Sequence, residues 1–182
     1  DQRGPPEPLP HQAFPPMAQH RPSLFVVQIT PEMAPVAKVG GLADVVFGLS
    51  RELAIRGNHV EIILPKYDNL RYDHIFELHE VYRDLWVPWY EGAIHCTVYF
   101  GFVHDRKCFF IEPHSHDNFF NRGAVYGYKD DVLRFVEAFA DQVALLRVTL
   151  DLDRALEERD AGGAERLLAG AARLDGAGRT LA

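Results

Sequence analysis

Glu32-Met33-Ala34-Pro35-Val36-Ala37-Lys38-Val39-Gly40-Gly41-Leu42-Ala43-Asp44-Val45-Val46 decides how this chain folds. The apolar run Leu24–Ile29 (LFVVQI) precedes it, and an amphipathic run ending near Ile55 follows. That order reads as a strand, a turn and a helix. The turn carries a lysine and a Gly-Gly pair. Glycines without Cβ let the backbone approach a ligand closely, and a helix start offers unpaired N–H groups with a partial positive charge. Lys38, Gly40 and Gly41 therefore predict an anion cradle suited to a phosphate or diphosphate. The spacing is not G-x-G-x-x-G, and no Gly-Lys-Ser/Thr makes it a P-loop. Taken alone, a Gly-Gly pair is more often a plain strand-to-helix turn.

Working outward, Leu24–Ile29 reads as a fully buried parallel strand. Leu42, Val45, Val46, Leu49 and Leu53 recur at helical spacing, and Gly57 stands where a C-terminal cap would. Val60–Leu64 reads as the next strand. A β–loop–α–β order implies a right-handed crossover and an α/β, Rossmann-like doubly wound sheet, with ligands beyond the C-terminal ends of its strands. Further on, Leu85–Pro88 is a short strand candidate. Ile94–Val103 and Cys108–Ile111 form a hairpin about a turn at His104–Lys107. Residues 112–129 are a polar, aromatic loop of a length that is often functional. Asp130 and Asp131 mark the start of a helix rather than an acid/base pair.

Seven prolines between Pro5 and Pro22 make residues 1–23 a disordered leader or linker. From about Glu137 the composition turns to Ala, Leu, Arg, Asp, Glu and Gly, giving a helical tail over 137–182 with a break at Gly162-Gly163. The net charge of −7 and the lack of a basic stripe disfavour nucleic acid. Cys96 and Cys108 lie in predicted strands without C-x-x-C spacing and read as buried thiols. No apolar run reaches the roughly 20 residues of a membrane span. With no signal-peptide pattern at the start, cytoplasm is the expected compartment (a plastid in a plant).

Lys-x-Gly-Gly-Leu after a Glu-x-x-Pro element is more specific than the Gly-Gly pair, and with it the sequence resembles the bacterial glycogen synthases and plant starch synthases. The stretch Arg56–Tyr67, with its strand ending in Pro-Lys-Tyr, is similar to that family's second strand. Phe109–His114, Asn118–Gly123 and Tyr126-Gly127 with Asp130–Phe135 resemble its later strand, loop and helix start. The resemblance covers about 24–136 and implies the N-terminal half of a two-domain GT-B-type glucosyltransferase. The family transfers glucose from ADP-glucose to the non-reducing end of an α-1,4-glucan with retention, using no bound metal or cofactor.

On that basis Lys38, Gly40 and Gly41 would meet the donor's diphosphate. Glu32 either bonds sugar hydroxyls or is a loop carboxylate, and Asp44 is better explained by the helix dipole. His114, Asn118, Arg122 and Tyr126 either line a sugar cleft or belong to a loop packing its own aromatics. His114-x-His116 with Asp117 lacks a further ligand set, so no metal is expected. No catalytic residue is assigned. The family's His-Asp-Trp element and second domain have no counterpart here. The expectation is an incomplete enzyme, inactive without a missing C-terminal domain, or alternatively a non-catalytic glucan-binding remnant.

Overall fold

The computed structural model describes residues 22–157 and 166–169. Most of the Pro-rich leader, the Gly162-Gly163 break and the end of the tail lie outside these residues. In chain order the elements are β1 (Phe25–Ile29), α1 (Gly41–Ile55), β2 (His59–Pro65), β3 (Phe76–Trp89), β4 (Gly92–Val103), β5 (Arg106–His114) and α2 (Phe139–Glu157). A π-helical segment, Leu133–Ala138, leads into α2.

One five-stranded sheet runs β1-β2-β5-β4-β3. β1, β2 and β5 are parallel, while β4 is antiparallel to both β5 and β3. Hence β1-α1-β2 is the expected crossover, and the antiparallel hairpin extends the sheet on its far side. The core is the apolar ladder of β2, β4 and β5, with Ile62, Ile63, Leu64, Val98, Phe110 and Ile111 wholly buried. Helices cover both faces. Phe47 of α1 stacks on Arg106, which shares a face with Cys108 and its register partner Ile62. Arg147 of α2 pairs with Glu61, the neighbouring residue that points to the other face, at 3.3 Å.

Four expectations change. β1 is parallel but not fully buried: it is an edge of the described sheet, with Phe25 43% and Ile29 56% exposed. α1 buries Ala43, Val46 and Ser50, whereas Leu42, Val45 and Leu49 stay exposed. Its apolar residues therefore occupy two faces, of which only one meets the sheet. β3 extends N-terminally through Phe76 to fourteen residues, with register shifts between Phe76 and Leu85. Those irregularities spoil the alternation that would have announced it. The hairpin turn is tighter than expected: His104 and Asp105, both at positive φ, form it alone.

Both thiols are free and buried. Burial pushes each up to about 12, so neither supplies thiolate at neutral pH. A thiol reagent such as DTNB should label neither in native protein and both in denaturant. Rapid native labelling would contradict this packing.

Candidate functional site

The Lys-Gly-Gly turn leaves the C-terminal end of β1 as an ordered loop. Met33 and Ala37 exchange backbone hydrogen bonds of 3.0 and 2.8 Å around a cis Ala34–Pro35 bond. Met33, Ala34, Val36 and Ala37 are buried, so apolar side chains seat the loop. Its outer part is held by Glu32. One Glu32 carboxylate oxygen accepts the Val39 N–H at 2.9 Å and the Gly40 N–H at 2.8 Å. The Tyr126 hydroxyl hydrogen-bonds the same carboxyl. Burial alone would raise the Glu32 carboxyl, but the Gly40 and Val39 N–H groups and the Tyr126 hydroxyl outweigh it and hold it below the ordinary 4.5.

Two of the expected ligand contacts have partners within the loop. Glu32 is buried and holds its own loop, and the Gly40 N–H donates to it. Among the predicted cradle residues, Lys38 and Gly41 remain outward. Gly41 opens α1, and no side chain caps that helix, which leaves its first turn available to an anion. Lys38 is exposed and pairs with Asp44 at 2.8 Å. Asp44 lies in the first turn of α1, as the dipole reading expects. Its lysine partner was not anticipated. A groove of about 790 Å³ lies beside this pair, lined also by Phe47, Asn69, Arg71 and His104.

The 112–129 loop carries its polar residues as internal fastenings. Arg122 donates to both Asp130 carboxylate oxygens at 2.8 Å and to the backbone oxygens of Asp117 and Asn118. All three of its nitrogens thus have partners in this loop and at Asp130. His114 ends β5, bonds Thr97 at 2.8 Å and packs against His95. It therefore faces the β4 ladder. Asn118 is exposed in a left-handed turn with φ 47°. Only Tyr126 reaches the Lys38 loop, and it does so through Glu32. Among the described residues, no three His, Cys, Asp or Glu side chains gather as a metal site.

Sequence reasoning missed three supports. Arg134 is wholly buried and donates to the Phe119 and Val125 carbonyls and to Asp131. Tyr67 is buried with its hydroxyl on the Pro31 carbonyl at 2.9 Å, tying β2's end to the Glu32 loop. Lys66 pairs with Glu112 at 3.1 Å and lies over the Tyr99 ring. The Pro65-Lys66-Tyr67 run was visible in sequence, but its contacts are non-local.

A parallel-stranded core with its ligand-type loop at the C-terminal end of β1 defines the class: half of a GT-B glycosyltransferase fold. The starch synthase catalytic domain family model matches residues 25–154, and the chain belongs to that family. The match runs on past Phe135 through most of α2. Glycogen synthase 2 of Methylococcus capsulatus is 74% identical over 119 residues, covering 65% of this chain and 24% of that protein. Glycogen synthase 1 of a Synechococcus strain is 66% identical over 122 residues, covering 67% and 24%. Among solved structures, the catalytic domain of starch synthase IV from Arabidopsis thaliana, bound to ADP and acarbose, is similar with a TM-score of 0.67 and 41% identity. That likeness covers 70% of this chain and 26% of the other. The chain thus spans about a quarter of the length of the relatives it matches.

Proposed function

We propose that this chain supplies the Lys-x-Gly-Gly wall of an ADP-glucose-dependent α-1,4-glucan glucosyltransferase and is inactive by itself. The single observation that carries the reading is the Lys38–Gly41 loop, fixed from below by Glu32 and outward-facing at Lys38 and at the uncapped start of α1. In the reaction, charge develops on the departing diphosphate. Lys38 would offset that charge, and the Gly41 end of α1 would add its partial positive charge. The Lys38–Asp44 pair is exposed, so breaking it to meet a ligand costs at most about 1 kcal/mol. Asp44 thus parks the lysine without competing strongly with a diphosphate. The ADP and acarbose in the Arabidopsis relative support a nucleotide and a glucan as the ligand classes. No cofactor is required.

The test is NMR titration of the labelled chain with ADP, alongside glucose incorporation from labelled ADP-glucose into glycogen. ADP should shift the Lys38 and Gly41 resonances, and Lys38→Ala should weaken that binding by about tenfold or more, the loss of roughly 1.4 kcal/mol of charge-assisted contact. The chain alone should incorporate no glucose. ADP shifts elsewhere, unchanged by Lys38→Ala, would overturn the site assignment. Incorporation by the chain alone would overturn the claim that it is inactive by itself.

A further inference from the structure

At the rim of the sheet opposite the Lys38 loop, a buried cation lacks a counter-charge. Arg106 is the first residue of β5 and is 9% exposed. Its guanidinium lies 4.4 Å from the Phe47 ring centroid, and its Nη1 donates to the His104 carbonyl at 2.7 Å. Its Nε–H is buried without an acceptor among the described residues, and no carboxylate among them forms an ion pair with it. Buried charges are normally paired. Burial disfavours this cation and the neighbouring Arg51 adds to that, against Cys108 and Asp105, yet a guanidinium keeps its charge. A groove of about 610 Å³ runs along the same rim, against Arg106, Lys107 and Arg154. Lys107 and Arg51 are exposed, and neither has a hydrogen bond or ion pair among the described residues. Two carboxylates border the groove. Glu61 is committed to Arg147 at 3.3 Å, and Asp105 is exposed on the β4–β5 turn.

We infer that this rim is a second anion site, which takes a phosphoryl group on Arg106 with Lys107 and Arg51 adding charge around it. The Nε–H and Nη2 of a guanidinium form one edge of a planar fork that meets two oxygens side by side. In Arg106 that edge is the unused one: Nη1 holds the His104 carbonyl, while Nε and Nη2 have no partner among the described residues. Phe47 sets the plane of the guanidinium and the His104 carbonyl fixes its rotation, so the edge is presented ready-made. More than one unpaired cation favours a dianion over a single carboxylate. The groove is of small-molecule size, which leaves room for an organic group behind the phosphate. A bound phosphoryl group supplies the counter-charge that the fold lacks, and it therefore stabilises the folded chain. The site is separate from the Lys38 cradle. Arg106 opens β5, which is parallel to β2 and β1, whereas Lys38 follows the end of β1, so the two stand at opposite ends of the strands.

The test is titration of the full 182-residue chain with inorganic phosphate, chloride holding the ionic strength constant, followed by amide NMR and thermal unfolding. Lys38→Ala is present throughout, to suppress phosphate binding at the loop. Phosphate should shift the Arg106 and Lys107 amides saturably and raise the unfolding temperature. Arg106→Met keeps a stem against Phe47 and removes every donor, so it should weaken binding by about tenfold or more. Lys107→Ala changes an exposed side chain, leaves the fold alone and should weaken binding about threefold. Asp105 sits at φ 63°, which asparagine tolerates. Asp105→Asn should therefore keep the turn and tighten binding by removing a competing carboxylate. Phenyl phosphate separates the sources: tighter binding than inorganic phosphate marks a phosphomonoester as the ligand, and equal binding marks free phosphate. The absence of a saturable shift at Arg106 would overturn the inference. So would binding indifferent to both Arg106→Met and Lys107→Ala. Loss of stability in Asp105→Asn without tighter binding would also overturn it, by making Asp105 the partner of the guanidinium. None of these readouts depends on turnover or on ADP binding, so they stand apart from the fate of the proposed activity.

Discussion

Replacing Arg134 with methionine should cost about 3–5 kcal/mol of stability, the penalty for breaking a buried charged network. The side chain is wholly buried, and it belongs to the segment that joins a long loop to α2. Its Nη1 donates to the Phe119 carbonyl at 2.7 Å, its Nη2 to the Val125 carbonyl and its Nε to Asp131 at 2.9 Å. The guanidinium also lies over the Tyr128 and Phe135 rings at 4.7 and 4.6 Å. Methionine keeps much of the aliphatic volume and removes every donor. Two buried carbonyls then lose their partner, and the loop loses its anchor to the helix. Trp89, 6.0 Å from the Phe119 ring, reports the change. Urea denaturation followed by tryptophan fluorescence should show a lower midpoint, or loss of the native signal altogether. Arg154→Ala is the control, since that arginine is 44% exposed and its loss should cost about 1 kcal/mol or less. Equal costs for the two substitutions would disprove the anchoring role.

Local pattern made much of this molecule legible. Val60–Leu64 and Ile94–Val103 are apolar, β-branched runs bounded by polar turns, and both are strands. Gly57 ends α1 with φ 83°, the left-handed conformation its position implied. The failures share one cause, which is that a sequence pattern does not say what lies on each side. Leu42, Val45 and Leu49 look like core residues by spacing, yet among the described residues only the Ala43, Val46 and Ser50 face of α1 is buried. β1 looks buried by its apolar run, yet it is an edge of the described sheet. At the site, the Lys-Gly-Gly order was readable because loop and helix are contiguous. The fastening of that loop was not, because Tyr126 reaches Glu32 across ninety-four positions of chain. The partners of Arg122, two backbone carbonyls and Asp130, and of Arg134, two backbone carbonyls and Asp131, are not visible in sequence.

Glu32→Ala should cost about 1–3 kcal/mol, by leaving part-buried donors without their carboxylate. It would leave the Val39 and Gly40 N–H groups and the Tyr126 hydroxyl without their shared acceptor. Glu32→Gln keeps an oxygen for the two N–H groups but exchanges charge-assisted bonds for neutral ones, so it should cost about 1–2 kcal/mol. The pH dependence separates charge from shape. A carboxyl held below its ordinary 4.5 in the folded protein contributes stability that is fully present above that value. The contribution is lost as pH falls through the lower folded value. The gap in unfolding free energy between the native chain and Glu32→Gln should therefore be constant from pH 7 to about 5.5 and narrow progressively below 4.5. Asp131, also held low, though burial opposes it, by the Gly127 N–H and by Arg134, stays in both proteins, so the variant keeps a shallower acid slope of its own. Urea midpoints at a series of pH values measure this. A gap that stays constant down to pH 3 would mean that the Glu32 charge contributes nothing and that its oxygens act by shape alone. Because the same carboxylate fixes the backbone on which Lys38 and Gly41 stand, Glu32→Gln should weaken ADP binding less than Lys38→Ala does. Glu32→Ala, which frees the loop, should weaken it at least as much.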